Sequence, residues 1–326
     1  MQWGLADWGL AGRGFAAAAH DPRLAVSLWG HQFSSPLGMA AGFDKQGQVM
    51  SPLLRLGFGF VEVGTITPEP QVGNARPRVF RAPAHRAVIN RYGFNSDGHA
   101  AVLQRLRVWR ARHPRAALGI NLGMNKGAAD PMAAYIKGIQ TFEDLATYLV
   151  INLSSPNTQG LRDQQTQGLP QLIAGLKSAL SRPVPLLLKV APDLSESQIH
   201  LISDAAMTSG LDGLIVSNTT LDRPAALPHG FRAQAGGLSG APLTQKSLAV
   251  LRQFSSCLRG AVPLIGVGGL MSGADAVDRL RAGADLLQVY TGLMYQGPRL
   301  IHDIHASILQ AMTDLGVSSP QDLKGK

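Results

Sequence analysis

Along the chain, short apolar runs recur and each gives way to glycine or polar residues. In order they are PLGMAAGF (36–43), FVEVGTIT (60–67), LGINLG (118–123), YLVINLSS (148–155), PLLLKVAP (185–192), GLIVSNTT (213–220), PLIGVGGL (263–270) and LLQVYTGL (286–293). Most are continuous rather than alternating, the pattern of parallel strands covered on both faces. Between them lie segments of helical period, among them LPQLIAGLKSAL (169–180), SESQIHLISDAAMTSG (195–210) and GADAVDRLRAGA (273–284). Ser195 and Gln198 have the spacing of a capping box, which sets a helix start just after the fifth run. Eight strands alternating with helices predict a (β/α)8 TIM barrel of the α/β class, with a doubly wound sheet as the second choice. In a barrel, the polar residues that close each run gather at the face where active sites sit. Two intervals exceed a simple crossover. Residues 68–117 carry a predicted hairpin from RVFRA to AVINRYG, and residues 221–262 are rich in glycine and proline. Insertions over a barrel mouth commonly form a lid or a substrate wall.

Composition narrows the class. Of 326 residues, 45% are hydrophobic and 16% charged, which excludes disorder and provides for a large core. The single cysteine, Cys257, excludes a disulfide framework, a cysteine-ligated iron–sulfur cluster and a Cys-rich zinc site. The net charge of +9 permits contact with nucleic acid, anionic lipid or an acidic small molecule, but the basic residues are scattered. The longest uncharged stretch, Leu24 to Phe43, contains His31, Gln32, Ser34, Ser35 and Pro36, which a membrane-crossing helix would not tolerate cheaply. The N-terminus lacks the basic-then-apolar pattern of a secretory signal. A soluble protein, or one attached to a membrane face, is expected.

Three groups of residues carry candidate chemistry. GVGG (266–269) and YTG (290–292) close the last two strands, where barrels often bind phosphate through backbone N–H groups. A pair of tight turns is the plainer account of the same glycines. Gly12-x-Gly14-x-x-Ala17 matches a dinucleotide fingerprint in letters only, because no strand precedes it. Asn90, Asn121, Asn152 and Asn218 stand at strand ends or hairpins, with Asn157 just beyond the fourth strand. One such amide would be a turn residue. Five at one barrel mouth suit a planar polar ligand with carbonyl and N–H edges. Lys189 interrupts an otherwise apolar strand, a rare place for an unpaired lysine, whereas Lys45 also reads as an ordinary loop lysine.

At this point whole strings become recognisable. AAGFDK (40–45), GFGFVEVGTITPEPQ (57–71), NARPRVFR (74–81), INRYGFN (89–95), INLSSPNTQGLR (151–162), LKVAPDL (188–194), SNTT (217–220), GGLSG (236–240), IGVGG (265–269) and YTGL (290–293) resemble the class 2, quinone-linked dihydroorotate dehydrogenases. The resemblance runs from about His31 to beyond Leu300 in the family's order. It implies an FMN-bearing barrel that oxidises dihydroorotate to orotate, in pyrimidine biosynthesis, with a quinone as acceptor. It further implies FMN contacts from Ala40, Ala41, Gly42, Thr65, Asn121, Asn152, Lys189, Ser217 and Ser239. Gly240, Gly268, Gly269, Tyr290 and Thr291 complete that set. Substrate is then held by Lys45, Asn90, Arg91, Tyr92, Gly93, Phe94, Asn152, Asn157, Asn218 and Thr219. Ser155 is the implied base, with Thr158 beside it, and Arg81 and Tyr290 line the implied quinone path. No metal is implied.

Met124 in GMNK stands where many relatives carry lysine. Residues 1–30 are expected to be a shortened N-terminal membrane and quinone-side segment, and 31–326 the FMN barrel. Trp3, Leu5, Trp8 and Leu10 would be remains of a second helix that Gly4, Gly9, Gly12 and Gly14 weaken. Weak peripheral attachment to an anionic membrane surface, on the cytoplasmic face of the inner membrane or partly in the cytoplasm, follows as an expectation. The alternatives are the same first half-reaction with a soluble acceptor, and an RNA-modifying flavin barrel. The latter is expected to carry a reactive cysteine at the mouth and a basic extension, and no nucleic-acid partner is expected here.

Overall fold

The computed structural model describes residues 21–155 and 168–326. The first described strands, β1 (Val26–Leu28) and β2 (His31–Phe33), pair as an antiparallel hairpin. Eight parallel strands then close a barrel. They are β3 (Leu37–Met39), β4 (Phe60–Ile66), β7 (Ala117–Leu122), β8 (Tyr148–Asn152), β9 (Leu186–Val190), β10 (Gly213–Val216), β12 (Leu264–Val267) and β13 (Leu286–Val289), which pairs back onto β3. Each expected run holds one of these strands. Every residue of β4, β7, β8 and β9 is buried. That is why their sequences are continuous rather than alternating: one face packs on helices and the other fills the barrel.

The remaining strands lie over the mouth. The expected hairpin is β5 (Val79–Ala82) and β6 (Ala87–Asn90), and β11 (Gly237–Gly240), from the second insertion, adds to its edge. Ala82, Ala87, Ile89, Leu227 and Leu238 form a small core of their own beneath this sheet. The rest of the second insertion is not merely loop. It contains α6 (His229–Arg232) and the fifteen-residue α7 (Thr244–Leu258).

Helices pack around the staves: α1 (Met50–Arg55), α2 (Gly98–Arg112), α3 (Pro131–Phe142), α4 (Leu169–Ser178) and α5 (Glu196–Thr208). After α7 come α8 (Gly273–Arg281), α9 (Thr291–Gln296) and α10 (Arg299–Leu315). The capping box that starts α5 is present, with Ser195 accepting from the Gln198 N–H and the Gln198 side chain accepting from Ser195 N–H.

Sequence periodicity did not reveal the plug at the other end. The β1–β2 hairpin inserts an aromatic cluster into the barrel's N-terminal opening. Trp29 packs against Phe33 and Tyr148, Phe33 against Phe60, and the Trp29 indole donates to the Asp212 carbonyl at 2.8 Å. Residue 30, the expected domain boundary, is in the turn of this hairpin. No helix among the described residues is long and apolar enough to cross a membrane.

Candidate active site

A cleft opens at the C-terminal ends of the staves and encloses about 1120 Å³, part of it open to solvent. Its lining brings together residues scattered over 250 positions. Ala40, Ala41, Gly42 and Lys45 come from the loop after β3, Thr65 from the end of β4, and Asn152 and Ser155 from the end of β8. Lys189 comes from β9, Ser217, Asn218 and Thr219 follow β10, and Gly268 and Gly269 follow β12. Gln288, Tyr290 and Thr291 belong to the last stave and the turn after it. The overlying sheet contributes Asn90, Ser239 and Gly240, and the loop after β6 contributes Tyr92, Gly93 and Phe94.

Polar side chains on the floor form a connected ladder. Asn121 is fully buried beneath the cleft. Its Oδ1 accepts from Thr65 Oγ1 at 2.5 Å and from Asn152 Nδ2 at 3.3 Å. Asn152 Nδ2 also donates to Thr65 Oγ1 at 2.9 Å, while its Oδ1 accepts from the Ser154 hydroxyl at 3.0 Å. Asn218 Nδ2 donates to Ser154 Oγ at 2.9 Å, and Asn218 Oδ1 accepts from Thr219 N–H at 2.8 Å. Three asparagines from three staves are thereby held with fixed donor and acceptor ends, as recognition of a planar ligand edge requires.

The cations are unequal. Lys189 is only 5% exposed, and burial lowers its proton affinity. Lys45 is half-buried, with its ammonium 4.9 Å from the centre of the Tyr92 ring. Loss of hydration first, then the positive charges of Arg78 and Lys189, lower its pKa to about 8. The loop that carries it is pinned by the buried Asp44 carboxylate, which accepts from Gln48 N–H at 2.9 Å and Val49 N–H at 2.8 Å. Tyr290 donates to the Gly42 carbonyl at 3.2 Å, and burial raises its pKa.

At the far end the glycines form a backbone cradle. Gly269 has φ +66°, and a Cβ there would collide with the Thr244 backbone. A Cβ on Gly240, at φ +95°, would collide with the Arg86 carbonyl. Only glycine fits such close approaches. Arg279, 1% exposed, lies behind the cradle and donates to the Gly268 carbonyl at 2.5 Å and to Ser247 Oγ at 2.9 Å. Its burial lowers its pKa to about 10, so it stays charged at neutral pH. The carbonyl is turned toward the arginine, and a permanent positive charge stands behind the cradle, both favourable to an anion.

Some expected residues stand apart from this lining. Asn121 acts from below. Arg91 lays its guanidinium 4.5 Å from the Phe80 ring centre and donates to Gln234 Oε1 and the Ala235 carbonyl. Arg81 is exposed on β5. Asn157 and Thr158 lie outside the described residues, as does the segment containing Trp3, Leu5, Trp8 and Leu10. Met124 is buried, 8% exposed, and packs in the main core. Sequence reasoning missed Glu62, Gln288 and Arg279. Glu62 and Gln288 do interrupt apolar runs, the same signal that singled out Lys189, while Arg279 reads as an ordinary charge on an amphipathic helix.

Comparison with known proteins agrees with this geometry. The family described as dihydroorotate dehydrogenase matches residues 23–312. The dihydroorotate dehydrogenase (quinone) of Rhodospirillum rubrum is 50% identical over 324 residues, spanning 97% of this chain and 87% of that protein. The mitochondrial dihydroorotate dehydrogenase (quinone) of Mus musculus is 44% identical over 313 residues, spanning 93% and 79%. Among solved structures, the ligand-free DHODH of Eimeria tenella superposes with a TM-score of 0.91 at 39% identity, covering 96% of this chain and 94% of that one.

Proposed function

The chain belongs to the dihydroorotate dehydrogenase family, and we propose that it couples oxidation of (S)-dihydroorotate to orotate, in pyrimidine biosynthesis, to reduction of a quinone, with FMN in the cleft. The observation that carries this reading is the convergence of a buried lysine, the asparagine ladder, Ser155 and a glycine cradle in one cavity. The residues fit a flavin mononucleotide. At Gly240 and Gly269 the cradle has room for backbone but not for a Cβ, and the charge of Arg279 behind it suits a phosphate. Gln288 Oε1, buried on the cavity side, has no partner among the described residues. A flavin held by these residues would supply the acceptor for the hydride removed from the substrate.

The protein's own groups divide the rest of the work. Ala40, Ala41, Gly42, Thr65, Asn152, Ser217, Ser239, Tyr290 and Thr291 hold the cofactor, with Asn121 fixing Thr65 and Asn152 from below. Lys189 places a cation against negative charge that develops on reduction. Lys45, Asn90, Tyr92, Gly93, Phe94, Asn218 and Thr219 enclose the substrate, and the Lys45 ammonium pairs with its carboxylate. Ser155, 5% exposed at the end of β8, takes the proton from substrate C5. Arg81 and Tyr290 border the quinone path. The net charge of +9 supports peripheral contact with an anionic membrane.

The test is an anaerobic absorption spectrum of the purified holoenzyme. Dihydroorotate should bleach the flavin band and a short-chain quinone should restore it. A flavin that dihydroorotate fails to bleach overturns the substrate assignment. Reoxidation by fumarate or a nicotinamide nucleotide faster than by any quinone overturns the acceptor.

A further inference from the structure

A carboxylate stands among neutral side chains at position 62. The Glu62 side chain is fully buried inside the barrel. One oxygen accepts from Asn121 Nδ2 at 2.8 Å, and the other from Gln288 Nε2 at 2.5 Å and the Tyr148 hydroxyl at 3.1 Å. All three donors are neutral and come from three other staves. Among the described residues no cation hydrogen-bonds to it. Three donors meet two acceptor oxygens, and a glutamine there, with one accepting atom, would leave at least one donor unmatched. Burying an ionised carboxylate is nevertheless costly among neutral partners, and a nearby cation offsets that cost. Besides accepting these bonds, position 62 brings charge.

Only one cation shares the barrel interior close to this carboxylate among the described residues. Lys189 faces inward from β9, in register with Asn152 of β8. Asn152 is bonded to Asn121, and Asn121 to Glu62, so two hydrogen bonds connect the carboxylate to the lysine's neighbour. We propose that Glu62 is a positioning residue that acts by charge, as the counter-ion that keeps Lys189 protonated at the floor of the cleft. Its influence opposes the loss of hydration that lowers the lysine's proton affinity. The other groups facing Lys189 do not substitute for it. Lys45, on the loop after β3, is a like charge, and Tyr148 on β8 is held neutral by burial and by Glu62 itself. The inference rests on the reading that Lys189 stands beside the flavin.

The experiment compares the flavin midpoint potential from pH 6 to 10 in the holoenzyme and in Glu62→Gln, Lys189→Met and the double variant. In Glu62→Gln, the break that marks loss of the Lys189 proton should move to lower pH. At pH 9 dihydroorotate should reduce the flavin at least about tenfold more slowly than in the parent. The double variant should match Lys189→Met, since a counter-ion without its ion has nothing left to act on. The exchange Glu62→Gln with Gln288→Glu moves the carboxylate to its hydrogen-bonded neighbour and should restore the parental profile. It also serves where Glu62→Gln alone does not fold. If Lys189→Met shifts the potential while Glu62→Gln traces the parental curve, or the exchange fails to restore it, the counter-ion assignment is overturned. If Lys189→Met itself leaves the potential unchanged, the placement of Lys189 beside the flavin falls first, and the inference with it.

Discussion

Substrate capture should weaken as pH rises through 8, because Lys45 must be protonated to pair with a carboxylate. Its pKa of about 8 has a structural cause: removal of water from the ammonium, reinforced by Arg78 and Lys189. Since the lowered value lies within the working range, the fraction of capture-competent enzyme changes steeply there. Binding to the protonated form alone scales the apparent dissociation constant by one plus ten to the power of pH minus pKa. That factor is about 1.1 at pH 7, about 2 at pH 8 and about 11 at pH 9. The assay is an orotate titration followed by perturbation of the flavin absorbance between pH 6.5 and 9.5. Arg78→Met removes the second-largest cause and should move the break upward, without returning it to the value of a free lysine, because loss of hydration is the larger cause. Lys45→Met should bind orotate weakly and with a flat profile. Parental affinity that is constant to pH 9.5, or a Lys45→Met variant with the same break, would refute the reasoning.

Other outcomes follow from single side chains. Ser155→Ala should retain FMN and orotate binding but lose about 10²–10⁴-fold in flavin reduction, measured by stopped flow at saturating dihydroorotate; parental reduction would show that Ser155 is not the base. Arg81→Ala should slow reoxidation by quinone while reduction by dihydroorotate proceeds as before, measured as two separate half-reactions. Arg279→Met should weaken FMN retention at least about tenfold on gel filtration, because the cradle carbonyl it holds is released and the charge behind the phosphate is lost. His99 is 4% exposed, packs edge-on against Phe142, and neither ring nitrogen has a partner among the described residues. Burial, then the Lys137 charge, lowers its pKa from 6.5 to about 4. The unfolded chain therefore takes up this proton first, and the protein loses stability as pH falls from 6.5 toward 4, on the order of 2 kcal/mol between pH 7 and 5. His99→Phe should remove that part of the acid sensitivity in denaturant titrations at the two pH values; an unchanged pH slope would contradict it.

The sequence by itself determined the barrel. Strands such as LLLKV and FVEVGTI are hydrophobic at most positions because both faces are covered, and that pattern is local enough to read from one chain. The polar residues that end each run were legible for the same reason, since alternation of strand and helix directs every strand end to one face. Long strings such as INLSSPN and RPRVFR then resembled one family and supplied roles that no spacing could assign. Tertiary structure alone decided the partners. Glu62 and Lys189 are 127 positions apart and share the barrel interior because the sheet closes on itself. Arg279 sits on a helix whose pattern gives it an ordinary charged position, yet α8 packs so that the guanidinium enters the core behind Gly268. The hairpin that plugs the barrel is short, and β11 joins the overlying sheet from 147 residues beyond β6. In each case the deciding contact has no local signature. Whether a buried charge is tolerated depends on which distant strand carries its partner, and chain closure fixes that.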